Sequence, residues 1–180
     1  MIHIAEEAPT EVGAREALLD RAMGPDRFLK ASERLRAGRA PANGLALVAR
    51  LGEEIVGSVR LWHVEAGIGR PTLLLGPLAV DPRCQGYGIG SALMETAIAG
   101  ATALGHSAIL LVGDAEYYRR FGFSAAHTGS LKMPAPVMRR RFLGLELQSG
   151  ALAGAAGKIV ANGQPAIAPV FETAELQRVA

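Results

Sequence analysis

Between Leu73 and Gly90 the chain reads LLLGPLAVDPRCQGYGIG, an apolar strand, a turn, and a loop with glycine at Gly86, Gly88 and Gly90. The loop runs directly into SALMETAIAGATAL, where Leu93, Ala97 and Ala101 recur every fourth residue and Met94 and Ile98 widen the stripe. That spacing predicts a helix with one buried face. A strand, a glycine loop and a helix N-terminus in this order present unpaired backbone N–H groups at the positive end of a helix dipole. The guest such a turn suits is a phosphate.

The spacing narrows the choice of phosphate ligand. A loop of the Walker type needs Lys followed by Ser or Thr after its last glycine, whereas Ser91 and Ala92 follow Gly90. A dinucleotide-binding turn reads G-x-G-x-x-G early in a parallel sheet, whereas this one reads G-x-G-x-G near the middle of the chain. Asp114 is the residue that could serve as the ribose-binding acid in that alternative. The segment closely resembles motif A of the GCN5-related N-acetyltransferases, in which Gln or Arg is followed, after two residues, by Gly-x-Gly or Gly-x-Ala. Gln85, Gly88 and Gly90 fill those places.

A second, independent resemblance lies downstream. SAILLV at Ser107–Val112 has the composition of a buried strand, and GDAEYYRRFGF follows it. In the family a helix at this point carries a Tyr shortly before a Gly-Phe pair, matched here by Tyr118, Gly122 and Phe123. One departure is visible: many members place an Asn upstream of this Tyr, and here a shorter segment opens with Asp114. With GPLAV and the late LGLELQSGALAG stretch, the chain is similar to the bacterial YhbS-like group of predicted acetyltransferases, most strongly between Gly44 and Gly157.

The resemblance implies an α/β fold in which a mixed, mostly antiparallel sheet of six to seven strands is flanked by helices. It implies acetyl-CoA as cosubstrate, no metal, and a splayed pair formed by the fourth and fifth strands. Gly76-Pro77 would ordinarily count against a strand, since Pro lacks a donor and Gly has no side chain to pack. In the family a bulge there opens the slot for the pantetheine arm, and the missing N–H is tolerable; an ordinary edge kink is the plain alternative. The implied coenzyme contacts are Leu78, Ala79, Val80, Gln85, Gly86, Tyr87, Gly88, Ile89, Gly90 and Ser91. Tyr118 is the implied acid, because a phenol with reference pKa ~10 keeps its proton at neutral pH and can donate it to a departing thiolate. Tyr117 reads as a packing aromatic, and Cys84 lies too near the expected pyrophosphate to act as an acyl carrier.

The base is not singled out. Glu53, Glu54, His63, Glu65, Asp81, Asp114 and Glu116 all qualify by type. Arg139-Arg140-Arg141 reads as a charged strand edge, the functional alternative being recognition of an acidic substrate or of coenzyme phosphates. A non-catalytic acyl-CoA-sensing module, or an enzyme using a longer acyl-CoA, stays open beside transfer to an amine acceptor. That acceptor is a small molecule or a peptide or protein amine.

Composition sets the outer bounds. The 180 residues suit a single domain spanning 1–180, with the tail at 158–180 the least patterned part. One cysteine rules out an internal disulfide framework and a multi-cysteine zinc site. A formal net charge of +2 gives no concentrated basic face for nucleic acid. MIHIAEEAPTEV has neither a basic leader nor an apolar h-region, and no apolar run would cross a bilayer, so a cytoplasmic location is expected. A homodimer stays open.

The remaining pattern predicts a strand at Ile2–Glu6, then helices at Glu11–Met23 and Asp26–Ala37 separated by Gly24-Pro25. It predicts a hairpin of Gly44–Arg50 and Ile55–Val64, and strands at Thr72–Val80 and Ser107–Val112. A short Tyr-bearing helix and an irregular strand after Gly122 precede a strand within Met138–Leu147. Ser149–Gly157 gives no decisive signal. An amphipathic piece at Phe171–Val179 closes the chain.

Overall fold

The computed structural model describes residues 1–167. In chain order it contains β1 (Ile2–Glu6), α1 (Val12–Met23), α2 (Glu33–Arg36), β2 (Ala46–Leu51), β3 (Glu54–Ala66) and β4 (Pro71–Val80). There follow α3 (Ile89–Ala103), β5 (Ala108–Val112), α4 (Ala115–Arg119), β6 (Leu131–Lys132), β7 (Phe142–Glu146) and β8 (Gly157–Ala161). The sheet runs β1-β2-β3-β4-β5-β7, antiparallel except for the parallel β4/β5 pair. β8 pairs with the end of β3 and runs parallel to β6, so the sheet has eight strands instead of six to seven.

Period-two alternation divides the core between the two faces of this sheet. Leu73 and Leu75 of β4 and Ile109 and Leu111 of β5 pack with Leu93, Met94, Ala97 and Ala101 of α3. Leu74 and Leu110, one residue out of phase, face the other way and join Trp62, Phe142, Leu152 and Ile159. The α3 stripe is therefore buried as the spacing predicts. Burying side chains of this size stabilises by roughly 1.5–3 kcal/mol each, which anchors α3 and with it the loop at its N-terminus.

The β4/β5 pair is the element that shapes the site. Their register is limited to Leu73↔Ile109 and Leu74↔Leu110, after which the strands part. On the other side of β4, Val59 faces Leu78 and Leu61 faces Leu75, so Arg60 stands opposite both Gly76 and Pro77. This is the expected bulge. The Trp62 indole N–H donates to the Gly76 carbonyl at 2.5 Å and fixes the bend from inside the sheet.

Several expectations need correction. The helix expected over Asp26–Ala37 breaks into a 3₁₀ turn at Pro25–Leu29, an extended Lys30 and the four-residue α2. So short a helix has no stability of its own, and burial of Leu35 and Arg36 decides its path. Arg139–Arg141 forms a 3₁₀ turn, and the strand begins only at Phe142. Arg139 is tied into that turn, donating to the carbonyls of Leu131 and Gly129, and is no free strand edge. The irregular segment after Gly122 is a 3₁₀ turn at Ala125–Thr128 followed by the two-residue β6. β8 had no counterpart in the sequence reading, and the piece at Phe171–Val179 lies outside the described residues.

Candidate functional site

Two adjoining cavities follow the opening between β4 and β5. The first lies at the glycine loop and is lined by Val80, Cys84, Gln85, Gly86, Gly88, Ile89, Gly90, Ser91, Tyr117 and Arg120. Gly88 caps α3 in the left-handed region with φ 77°, a conformation that side chains with a Cβ rarely adopt. The first intrahelical bond runs from the Ala92 N–H to the Gly88 carbonyl, so the N–H groups of Ile89, Gly90 and Ser91 precede it. No heavy atom stands within 4 Å of where a Cβ would sit on Gly86 or Gly88. An open glycine cradle at the positive end of a 15-residue helix fits a pyrophosphate. Arg120 lies over the Tyr117 ring at 4.7 Å and adds a cation to the same wall.

The second cavity, about 360 Å³, occupies the slot itself. Leu75, Gly76, Pro77 and Leu78 form one wall; Leu111, Val112 and Gly113 form the other. Tyr117 lines both cavities and makes them neighbours. Tyr118 lines the slot, its ring held edge-on by Tyr117 at 4.9 Å and by Phe123 at 6.0 Å. Gly113 lies flat against this ring: a Cβ there would come within 2.2 Å of Tyr118 Cε2. Burial, reinforced by Tyr117, pushes the Tyr118 phenol up to about 12. It is a firmly protonated donor throughout the range in which amines titrate.

Of the residues expected at the site, Leu78 and Tyr118 line the slot, and Val80, Gln85, Gly86, Gly88, Ile89, Gly90 and Ser91 line the loop cavity. Ala79 is buried in the sheet and Tyr87 is exposed, so their side chains line neither. Cys84 is a free thiol at the loop, apart from the slot. Among the seven candidate bases, Asp114 alone lines the slot, at the N-cap of α4, where its carboxylate accepts the Glu116 N–H at 3.1 Å. Glu54 is engaged by Arg83, Glu65 accepts from the Gly69 N–H, and His63 stands beside His106. Lys30, Arg36 and Arg120 had no signal in the pattern of the sequence; the fold brings them to the two cavities.

Asp81 is a structural carboxylate. It is 1% exposed and accepts from the Arg83 N–H, the Arg83 guanidinium and Arg21. Those bonds, Arg83 first, hold its carboxyl well below the usual carboxylate range. The charged form is favoured in the folded state, so its stabilisation is whole above about pH 4 and is lost as pH falls below that. Asp81→Ala is expected to lower Tm at neutral pH by about 2–6 °C, with a smaller difference from the wild type in thermal melts at pH 2–3.

Among the described residues, no helix is long and apolar enough to cross a membrane, and no cluster of three or more His, Cys, Asp or Glu side chains is placed to hold a metal ion.

A bulged strand splayed from its parallel neighbour, with a glycine-capped helix at the mouth of the slot, defines the N-acetyltransferase class of mixed α/β folds. The chain is similar in sequence to the GCN5-related N-acetyltransferases (GNAT) and shares their fold. The family profile for the acetyltransferase (GNAT) domain matches residues 42–125. The uncharacterized N-acetyltransferase YhbS of Escherichia coli K12 is 28% identical over 157 residues, 87% of this chain and 93% of its own length. The crystal structure of E. coli YhbS in complex with CoA superposes with a TM-score of 0.72 at 27% identity, over 90% of this chain and 89% of that one. A GNAT family acetyltransferase from Brucella melitensis, solved with acetyl-CoA, matches at a TM-score of 0.63 and 27% identity, over 96% and 99% of the two chains.

Proposed function

We propose that this protein transfers the acetyl group of acetyl-CoA directly to an amine. The observation that carries this reading is the continuity of the glycine cradle with the β4/β5 slot, at whose inner wall a protonated Tyr118 is fixed. Acetyl-CoA supplies an acyl thioester, and the chain's own groups then divide the work.

The backbone of Gln85–Ser91, with the Arg120 cation beside it, takes the pyrophosphate. Main-chain groups of Leu78, Ala79 and Val80, freed by the bulge, hold the amides of the pantetheine arm, and an N–H among them polarises the thioester carbonyl. Asp114 receives the acceptor's proton, directly or through water, since an ammonium must lose it before the nitrogen can attack. Tyr118 Oη gives its proton to the leaving sulfur. Residues 1–167 act as one domain in this scheme, because α1, α2, the central strands and the β6–β7 connection all supply walls of the slot.

The test is thermal melting followed by turnover. CoA should raise Tm saturably, as any ligand that binds only the folded state must, and NAD should not. A panel of amines assayed for release of CoA thiol should then contain a substrate. A shift with NAD and none with CoA would overturn the reading. Tight CoA binding with no turnover of any amine would favour the non-catalytic sensing module.

A further inference from the structure

We infer that the acceptor is a small amine that also carries an anionic group, and that Lys30, Arg36 and Arg141 recognise that anion within the slot. The inference rests on the acetyltransferase reading and adds the substrate class to it. Lys30 and Arg36 come from the broken segment after α1, Arg141 from the turn before β7, and all three line the slot cavity. Asp114 is its only carboxylate among the described residues.

Arg36 is the central observation. Its side chain is only 6% exposed, and Glu33 engages one Nη2 at 2.9 Å. The Nε–H is left buried with no acceptor, the only side-chain nitrogen or oxygen so placed among the described residues. A buried donor without a partner is costly, and such exceptions call for an occupant. A guanidinium presents its donors as a planar fork that matches carboxylate or phosphate.

Lys30 and Arg141 form no ion pair with an acid among the described residues. The three cations are close enough to affect one another: burial first, then the charges of Arg36 and Arg141, lowers the Lys30 ammonium below its ordinary value. Like charges gathered in a cavity, two of them unpaired and Arg36 paired only with Glu33, attract an anion and repel a polyamine. The coenzyme's pyrophosphate does not account for them, because its cradle is the neighbouring cavity, which has Arg120 as its cation and shares only Tyr117 with this one.

The experiment pairs probes that differ only in the anion: amino acids against their amides, β-alanine against propylamine, and phosphoethanolamine against ethanolamine. Each is titrated calorimetrically into CoA-saturated protein and assayed separately for acetyl transfer. Anionic probes should bind at least ~10-fold more tightly than their neutral partners, the scale of one charge-assisted hydrogen bond. The carboxylate and phosphate arms decide which anion is preferred. Arg141→Gln and Lys30→Gln, both at exposed side chains, should reduce that preference by raising KM with little change in kcat. Arg36→Met should abolish it, and an undiminished rise of Tm with CoA certifies its fold.

Equal or better use of neutral amines or polyamines, or no binding of any anionic probe, overturns the anion site and leaves acetyl transfer standing. Anion-dependent binding with no acetyl transfer to any amine supports the anion site and overturns the acetyltransferase reading.

Discussion

Tyr118→Phe is expected to lower kcat by about 10²-fold while leaving the melting temperature at neutral pH and the affinity for CoA nearly unchanged. The substitution removes one hydroxyl and keeps the ring that Tyr117, Phe123 and Gly113 hold in place. A thiol's reference pKa of ~8.5 makes the thiolate a tolerable leaving group even without an acid, which keeps the loss near the low end of general acid catalysis. Steady-state kinetics on the best amine of the panel measures it, and full activity in the Phe variant would remove Tyr118 as the acid.

The same phenol gives a pH signature. With its pKa pushed up to about 12 by burial, Tyr118 should cause no fall in kcat below about pH 11. Its proton is held more tightly in the folded chain than in the unfolded one, where the pKa is ~10. The stability it contributes is therefore whole below pH 10 and disappears between pH 10 and about 12. Chemical denaturation across that window should show a steeper alkaline decline in the wild type than in Tyr118→Phe.

The second large effect is expected at Gly90. Gly90→Val should weaken CoA binding by about 10–100-fold, the equivalent of one or two charge-assisted bonds from the loop, with only a small change in Tm of the free protein. A Cβ at this position would stand 3.0 Å from Tyr117 Oη, so the side chain crowds the wall shared by the two cavities as well as the anion cradle. Calorimetric titration with CoA checks it. Unchanged affinity in a folded variant would place the pyrophosphate elsewhere.

The parts of the fold legible in the sequence were those governed by local rules. The α3 stripe follows from a 3.6-residue period, and the loop before it from glycines whose permissive backbone a strand-to-helix turn exploits. Hairpin β2–β3 closes between Leu51 and Glu54, where the turn residues lie. The segment after Gly24-Pro25 was not legible, because its weak helical tendency gives way to the burial of Leu35 and Arg36. β8 escaped for a related reason: only Ile159 is buried along it, and it exists because β3 and β6 supply its hydrogen bonds.

The candidate site divides along the same line. Gln85, Gly88 and Gly90 stand out in the chain itself, since a glycine loop and a strand-to-helix turn are short-range constructions, whereas Tyr118 is singled out by the family resemblance. Seven carboxylates and imidazoles were equal as bases until the fold placed Asp114 in the slot and tied Asp81 to arginines. Arg141 read as part of a charged strand edge, and Lys30 and Arg36 lay without any signal of their own in a stretch read as helix; their convergence joins segments far apart in the chain. The sequence by itself determined individual strands, the α3 stripe and the glycine loop, because periodicity and glycine placement act over a few residues, while the arrangement of the sheet came from the family resemblance. Which charges face the slot was decided by tertiary structure, because that depends on how β4 parts from β5 and on what closes over the gap.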